Sequence, residues 1–145
     1  LSAADLRAAV VAEALSWAGT PYHHNARLKG IGVDCVWLLL ETYMSVGIVP
    51  QEFSPGNYSR EWYFHRDEEM YLAGVEKYSR KIAPEQVGPG DVAVYKIGRC
   101  VSHGAIIVDD LYLVHANRKA RQVEITLRHS PELDAHFHSY WTPFP

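Results

Sequence analysis

The stretch GVDCVWLLLETY, residues 32–43, decides how the rest of the chain is read. It carries one of only two cysteines, directly after an aspartate, where a glycine-punctuated loop gives way to an apolar run. A helix from about Asp34 to Val46 fits the pattern, because aspartate is a good N-cap and Gly47 suits the left-handed position past the helix end. This helix is apolar nearly all round, which places it in the core. Alone, Cys35 reads as a small buried hydrophobe opening a core helix. Its position supports a second reading. The free N–H groups of a first helical turn and the helix dipole favour an anion. A thiolate is such an anion and is the form that attacks carbonyls, so this placement improves a cysteine nucleophile. Cys100, after Gly98 and Arg99 and before a strand, has no such setting.

Toward the N-terminus, residues 4–18 predict an amphipathic helix with Leu6, Val10, Ala14 and Trp17 on one stripe. Ser2, three residues before Asp5, makes a capping box. Gly19-Thr20-Pro21 ends that helix, and Tyr22 to Val33 reads as a loop delivering the chain to Asp34. Toward the C-terminus, Pro50 to Asn57 is a loop. Ser59 then caps an expected helix of about 20 residues, REWYFHRDEEMYLAGVEKYS, whose apolar positions recur only loosely, so it is expected to be peripheral. From Ile82 onward the character changes. VGPGD is a turn, followed by DVAVYKI, SHGAIIV, LYLVHA, QVEIT and HFHSYW, each short and rich in β-branched or aromatic residues. Helices first and closely spaced strands afterwards indicate an α+β fold with an antiparallel sheet.

Composition narrows the function. With 145 residues, 48% hydrophobic and 21% charged, the chain is expected to form one domain over residues 1–145. Its longest apolar run, Val36 to Leu40, falls far short of the roughly 20 residues needed to cross a bilayer, so no membrane span is expected. The segment LSAADLRAAVVAEALSWAG lacks a basic start and an uninterrupted apolar centre, so no signal peptide is read there. Synthesis in the cytoplasm is the expectation. A net charge of -3 argues against a nucleic-acid partner. Two cysteines are too few for a disulfide framework, and both thiols are expected to be free, as in a reducing compartment.

A cysteine nucleophile needs a base beside it, and histidine is the usual one. Among eight histidines, His103 opens the apolar strand SHGAIIV and His115 sits in the next strand, twelve residues on across Asp109-Asp110. For His115 to orient His103, both must lie on one face. A two-residue turn at Asp109-Asp110 would pair His103 with Ala116 and put His115 on the opposite face. A three-residue loop or a bulge would pair His103 with His115 or Asn117. An odd-numbered loop or a bulge is therefore expected.

At this point the order of segments resembles that of the NlpC-type cell-wall peptidases, which are papain-like cysteine peptidases. The matching pieces are GTPY at 19–22, Asp34-Cys35, VGPGDVAVY at 87–95, HGAIIV at 103–108 and VHA at 114–116. The segment YSREWYFHRDEEMYL further resembles a subgroup found in phage tails and gene-transfer particles. The resemblance implies N-terminal helices packed on a C-terminal sheet, with Cys35 as nucleophile, His103 as base and His115 as the group orienting it. It also implies that Tyr22 assists substrate or oxyanion binding, that the Cys35 N–H contributes to the oxyanion hole, and that the substrates are peptidoglycan stem peptides. No metal or organic cofactor is implied, and phage tail proteins are implied partners. Many members read Asp-Cys-Ser-Gly where this chain has Asp34-Cys35-Val36-Trp37, which removes a polar contact a serine would offer the peptide. Two other readings stay open: a non-catalytic tail or assembly protein, and a related thiol acyltransferase or lipase-like hydrolase, which the order of cysteine before histidine disfavours.

Four further sets complete the reading. Asp34 is a helix cap and, as a binding residue, meets an amino group of the substrate. His23 and His24 follow Tyr22 in a loop bordering the site. His136 and His138 alternate in an expected strand and share a face, a metal-compatible spacing without a third ligand. Arg118, Lys119 and Arg121 form a basic cluster that, near a cleft, meets the carboxylates of a wall peptide.

Overall fold

A computed structural model describes residues 1–59 and 70–145 of the chain. The first helix, α1 (Ala3–Ser16), starts at the capping box: Asp5 N donates to Ser2 Oγ at 3.0 Å, and Ser2 N donates back to Asp5. A two-stranded ribbon follows, β1 (Arg27–Leu28) and β2 (Gly32–Val33), inside the segment expected to be a plain loop. The second helix, α2 (Cys35–Ser45), is capped by Asp34 and ends before Gly47, whose φ of 77° is the left-handed conformation glycine adopts without strain.

Helix α3 (Met70–Tyr78) is the C-terminal part of the long helix expected from Ser59. Residues 60–69, with Trp62, Tyr63 and Phe64 and most of the phage-like segment, lie outside the described part. Where described, this helix is not peripheral. Tyr71 is buried in the main core, and α3 packs on the sheet. Met70, Leu72, Val75 and Tyr78 pack against the same core around Tyr71, so the helix docks on the core along one face.

The sheet comprises β3 (Arg80–Ile82), β4 (Val92–Ile97), β5 (Cys100–Ile107), β6 (Tyr112–Asn117), β7 (Gln122–Leu127) and β8 (Phe137–Thr142). A short helix, α4 (Pro131–His136), precedes β8. The order across the sheet is β3-β8-β4-β5-β6-β7, and every pairing is antiparallel. The five strands read from sequence are present. The sixth, β3, is three residues long and owes its place to pairing with β8.

Alternation along the central strands gives two apolar layers. Val92, Val94, Ile106 and Val114 join Val10, Ala14, Leu38 and Leu39 in the core beneath the helices. Ala93, Tyr95, Ala105, Ile107 and Leu113 form a smaller cluster with Ile82 and Tyr140. Besides a register shift between β4 and β8 at Val94/Tyr95, two irregularities of the sheet set the site. Ser102 is an extra residue in β5, because Tyr95 pairs with His103 while Lys96 pairs with Val101. Between β5 and β6, Val108 N donates to Tyr112 O at 3.0 Å and extends the pairing by one step, which leaves a three-residue loop, Asp109 to Leu111. Asp109 Oδ1 sets that length by accepting from both Leu111 N and Tyr112 N at 2.8 Å.

Candidate active site

The odd-numbered loop has the consequence that parity demands. With Ile106 opposite Val114 and Ile107 opposite Leu113, continuing the register sets His103 opposite Asn117, so His103 and His115 share a face. Their rings meet, with His103 Nε2 2.9 Å from His115 Nδ1. Both are buried, at 9% and 5% exposure. Tyr95 stands beside the His103 ring, centroids 5.8 Å apart. Burial, with the second imidazole adjacent, pushes the His103 pKa down to about 3, and burial also lowers that of His115 against the opposing pull of Glu124 and Glu132. Both rings are neutral at neutral pH.

Cys35 is the first residue of α2, and the cap beneath it is built from one carboxylate. Asp34 Oδ1 accepts from Val36 N at 3.1 Å and Trp37 N at 2.9 Å. The N–H of Cys35 itself is turned to its own sulfur, and the Tyr22 hydroxyl also hydrogen-bonds the sulfur, both favouring a thiolate. The thiol hydrogen-bonds the Ser102 carbonyl at 3.5 Å, the bulged residue directly before His103. A bulge lifts a residue out of the ladder, which makes this carbonyl available.

The helix terminus alone does not make Cys35 a ready anion. Burial and the nearby Asp34 charge push its pKa up to about 12, outweighing Tyr22, the Cys35 N–H and the more distant Arg118. The sequence-based expectation of thiolate stabilisation is therefore corrected for the free protein. A neutral thiol and two neutral imidazoles thus line one cleft.

Cys35, His103, His115 and Tyr22 line one cleft of about 760 Å³. Burial, reinforced by Cys35 and Asp34, holds the Tyr22 hydroxyl above its ordinary range, so it stays a donor. Its backbone is tied down on two sides, by Tyr22 N donating to Arg121 O at 2.8 Å and a bridge to Val33. Arg118, Lys119 and Arg121 line the same cleft, and Arg118 and Arg121 also border an adjoining hollow with Tyr22, His23 and His24. Asn117 Oδ1 shapes that basic loop by accepting from Lys119 N and Ala120 N.

Asp34 is only 2% exposed, and its second oxygen is also taken, by Asn25 N at 2.7 Å and the Tyr58 hydroxyl at 2.6 Å. The cap reading describes it; a substrate amino group would have to displace the Tyr58 hydroxyl. Tyr71 donates to Cys35 O at 3.0 Å and fixes the backbone of the same residue. Neither tyrosine was singled out from sequence. The available signal is generic: a buried tyrosine hydroxyl finds a partner, but nothing in the chain says which.

The departure at Val36-Trp37 lies away from the cleft. Val36 faces an apolar groove on the far side of α2, and Trp37 is buried with Nε1 donating to Asn25 Oδ1 at 2.9 Å and the Arg27 guanidinium 3.8 Å over its ring. His24 is also structural, its Nε2 3.0 Å from Tyr58 O. His136 and His138 do not alternate in one strand as expected. The helix α4 ends at His136 and β8 begins at Phe137, so the two rings have separate partners, Lys96 O and Ser139 Oγ. Pro131 and the Ser130 cap, overlooked in the sequence, start that helix.

No curated protein sequence matches the chain. Solved structures do. An NLP/P60-family protein similar to lipoprotein, from Staphylococcus aureus, superposes with a TM-score of 0.68 at 18% identity, over 97% of this chain and 42% of its own. The peptidoglycan hydrolase RipB of Mycobacterium tuberculosis gives 0.67 at 18% identity, over 97% and 65%. RipD of the same organism, described as a non-catalytic NlpC/p60 domain protein adapted to peptidoglycan binding, gives 0.60 at 16% identity, over 94% and 95%. The chain thus spans less than half of the first protein and just under two thirds of the second. At these identities the likeness is one of fold, the papain-like arrangement of helices on an antiparallel sheet. The sequence adds the stronger finding, a match to the NlpC/P60 family over residues 19–143, so the ordered segments around Cys35, His103 and His115 have a single explanation: the chain belongs to the NlpC/P60 family.

Proposed function

We propose that residues 1–145 work as one cysteine peptidase domain that hydrolyses peptide bonds in the stem peptides of bacterial peptidoglycan. The observation that carries this reading is the 2.9 Å contact between His103 and His115, in the cleft lined by Cys35 at the head of α2. Cys35 is the nucleophile. As its sulfur bonds to the scissile carbonyl carbon, the thiol proton passes to His103, whose Nε2 is engaged by His115 and whose Nδ1 is therefore the accepting atom. The Tyr22 hydroxyl and the Cys35 N–H, both turned to the sulfur, are the donors best placed for the developing oxyanion. Collapse breaks the C–N bond, and His103 gives its proton to the leaving amine. Water then adds to the thioester, releasing the acid and restoring the thiol.

Supporting the substrate class are the family itself and the basic rim of Arg118, Lys119 and Arg121, which suits a peptide bearing carboxylates. A second reading, peptidoglycan binding without turnover, is favoured by the raised Cys35 pKa and by its thiol hydrogen-bonding a backbone carbonyl. Association with phage tail proteins is proposed on the sequence resemblance alone. Mass spectrometry of defined wall peptides incubated with the protein and with Cys35→Ala separates the readings. The peptidase reading expects cleavage that Cys35→Ala abolishes; undiminished cleavage by the variant would overturn it, and binding of intact peptide by both proteins would favour the second.

A further inference from the structure

A carboxylate stands on the side of His115 away from His103. Glu124 on β7 is the register partner of His115 on β6, and its Oε2 is 3.9 Å from His115 Nε2. The same oxygen accepts from Asn117 Nδ2 at 2.9 Å, so the carboxylate is held from a second direction. The two nitrogens of His115 therefore have unlike neighbours: Nδ1 meets an imidazole, and Nε2 meets a negative charge.

A neutral imidazole carries one N–H, and the contact with His103 does not by itself choose where it sits. In one chain His115 holds its proton on Nδ1 and donates to His103 Nε2. His103 must then carry its own proton on Nδ1, the nitrogen left for the thiol, and it has no lone pair there to accept with. In the other chain His115 holds its proton on Nε2 and accepts at Nδ1, so His103 donates from Nε2 and keeps a lone pair on Nδ1. Both chains contain the 2.9 Å bond. What distinguishes them is the far end, where a carboxylate favours N–H on His115 Nε2.

We propose that Glu124 is a positioning residue that selects, through His115, the tautomer in which His103 Nδ1 is free to take the Cys35 proton. The inference rests on the reading of Cys35 and His103 as nucleophile and base. Glu124 touches neither the thiol nor the base; it acts through the charge it presents to His115 in a largely buried setting. The groups acting on His115 are Glu124 from β7, Glu132 from α4 and the His103 ring from β5. Of the two carboxylates only Glu124 is in ion-pair range of Nε2, while Glu132 is shared with Lys119 at 3.7 Å.

Glu124→Gln tests this with little change of shape. The oxygen nearest His115 Nε2 is the one Asn117 holds, so the amide keeps a weak acceptor there and removes only the charge that favours N–H on Nε2. Nitrogen-15 NMR of histidine-labelled protein reads tautomers without substrate. The wild type is expected to show N–H on Nε2 of both His103 and His115, and Glu124→Gln to shift part of both populations to Nδ1. On wall-derived peptides, kcat should fall by about the fraction of the Nε2–H tautomer lost, several-fold or more, with KM little changed, and Glu124→Asp should recover part of it. An N–H on His115 Nδ1 in the wild type, or unchanged tautomers in Glu124→Gln, would overturn the proposal. The wild-type measurement holds even if a variant fails to fold. A wild type with the stated tautomers but no hydrolysis would remove the peptidase reading while upholding the tautomer assignment.

Discussion

Removing the Asp34 carboxylate should weaken the fold and at the same time sharpen the thiol. In Asp34→Ala the cap on Val36 N and Trp37 N is lost, which costs about 1 kcal/mol. Asn25 N–H and the Tyr58 hydroxyl lose their acceptor as well, at about 1–3 kcal/mol for each donor that water does not reach. The total is about 3–7 kcal/mol when water reaches neither donor. With an unfolding entropy of about 2.1 cal/mol/K per residue, a chain of this length loses roughly 10–23 °C in Tm. Asp34→Asn keeps an oxygen for the cap but sets an amide N–H against Asn25 N–H, while Tyr58 can rotate to accept, so the loss is about 1–3 kcal/mol. Yet the Asp34 charge is one of the two causes raising the Cys35 pKa, and the amide removes it. Below its Tm, Asp34→Asn should therefore be alkylated by iodoacetamide at Cys35 faster than wild type at pH 8, Cys100 being fully buried. Calorimetry with peptide-resolved mass spectrometry reads both effects. A loss under about 1 kcal/mol in Asp34→Ala, or slower alkylation in Asp34→Asn, would refute the reasoning.

Three further outcomes follow from the same geometry. A Cβ at Gly104 would lie 2.5 Å from the Tyr71 hydroxyl and 3.0 Å from Leu39, so Gly104→Ala must push Tyr71 off Cys35 O; about 2–5 kcal/mol should be lost in chemical denaturation, and a neutral result would contradict the packing. His103 has a folded pKa of about 3 against an ordinary value near 6.5, so between these pH values the unfolded chain binds a proton the folded chain refuses. Its contribution is complete above about pH 6.5 and falls as pH drops toward 3; His103→Gln should lose less stability than wild type between pH 7 and 4, and parallel profiles would count against a buried neutral imidazole. Arg118 lines the cleft and acts electrostatically on both Cys35 and Tyr22. Arg118→Gln should raise KM several-fold for peptides with free carboxylates and change it little for their amidated forms, a difference steady-state kinetics would expose.

Much of this protein was legible as one-dimensional pattern. The capping box at Ser2, the cap at Asp34, the glycine stop at Gly47 and five strands of alternating or continuous apolar residues depend on neighbours within a few positions, and such interactions write themselves into sequence. Even the shared face of His103 and His115 followed from parity once the loop was known to be odd, and Asp109, which sets that length, was in view. The tertiary structure decided the rest. It assigned Tyr58 to Asp34 and Tyr71 to Cys35, placed an extra residue at Ser102, brought Glu124 to the far nitrogen of His115, and split His136 from His138. It also reversed the expected acidity of Cys35, because a helix terminus is a local property whereas burial and a neighbouring charge depend on everything packed around the sulfur.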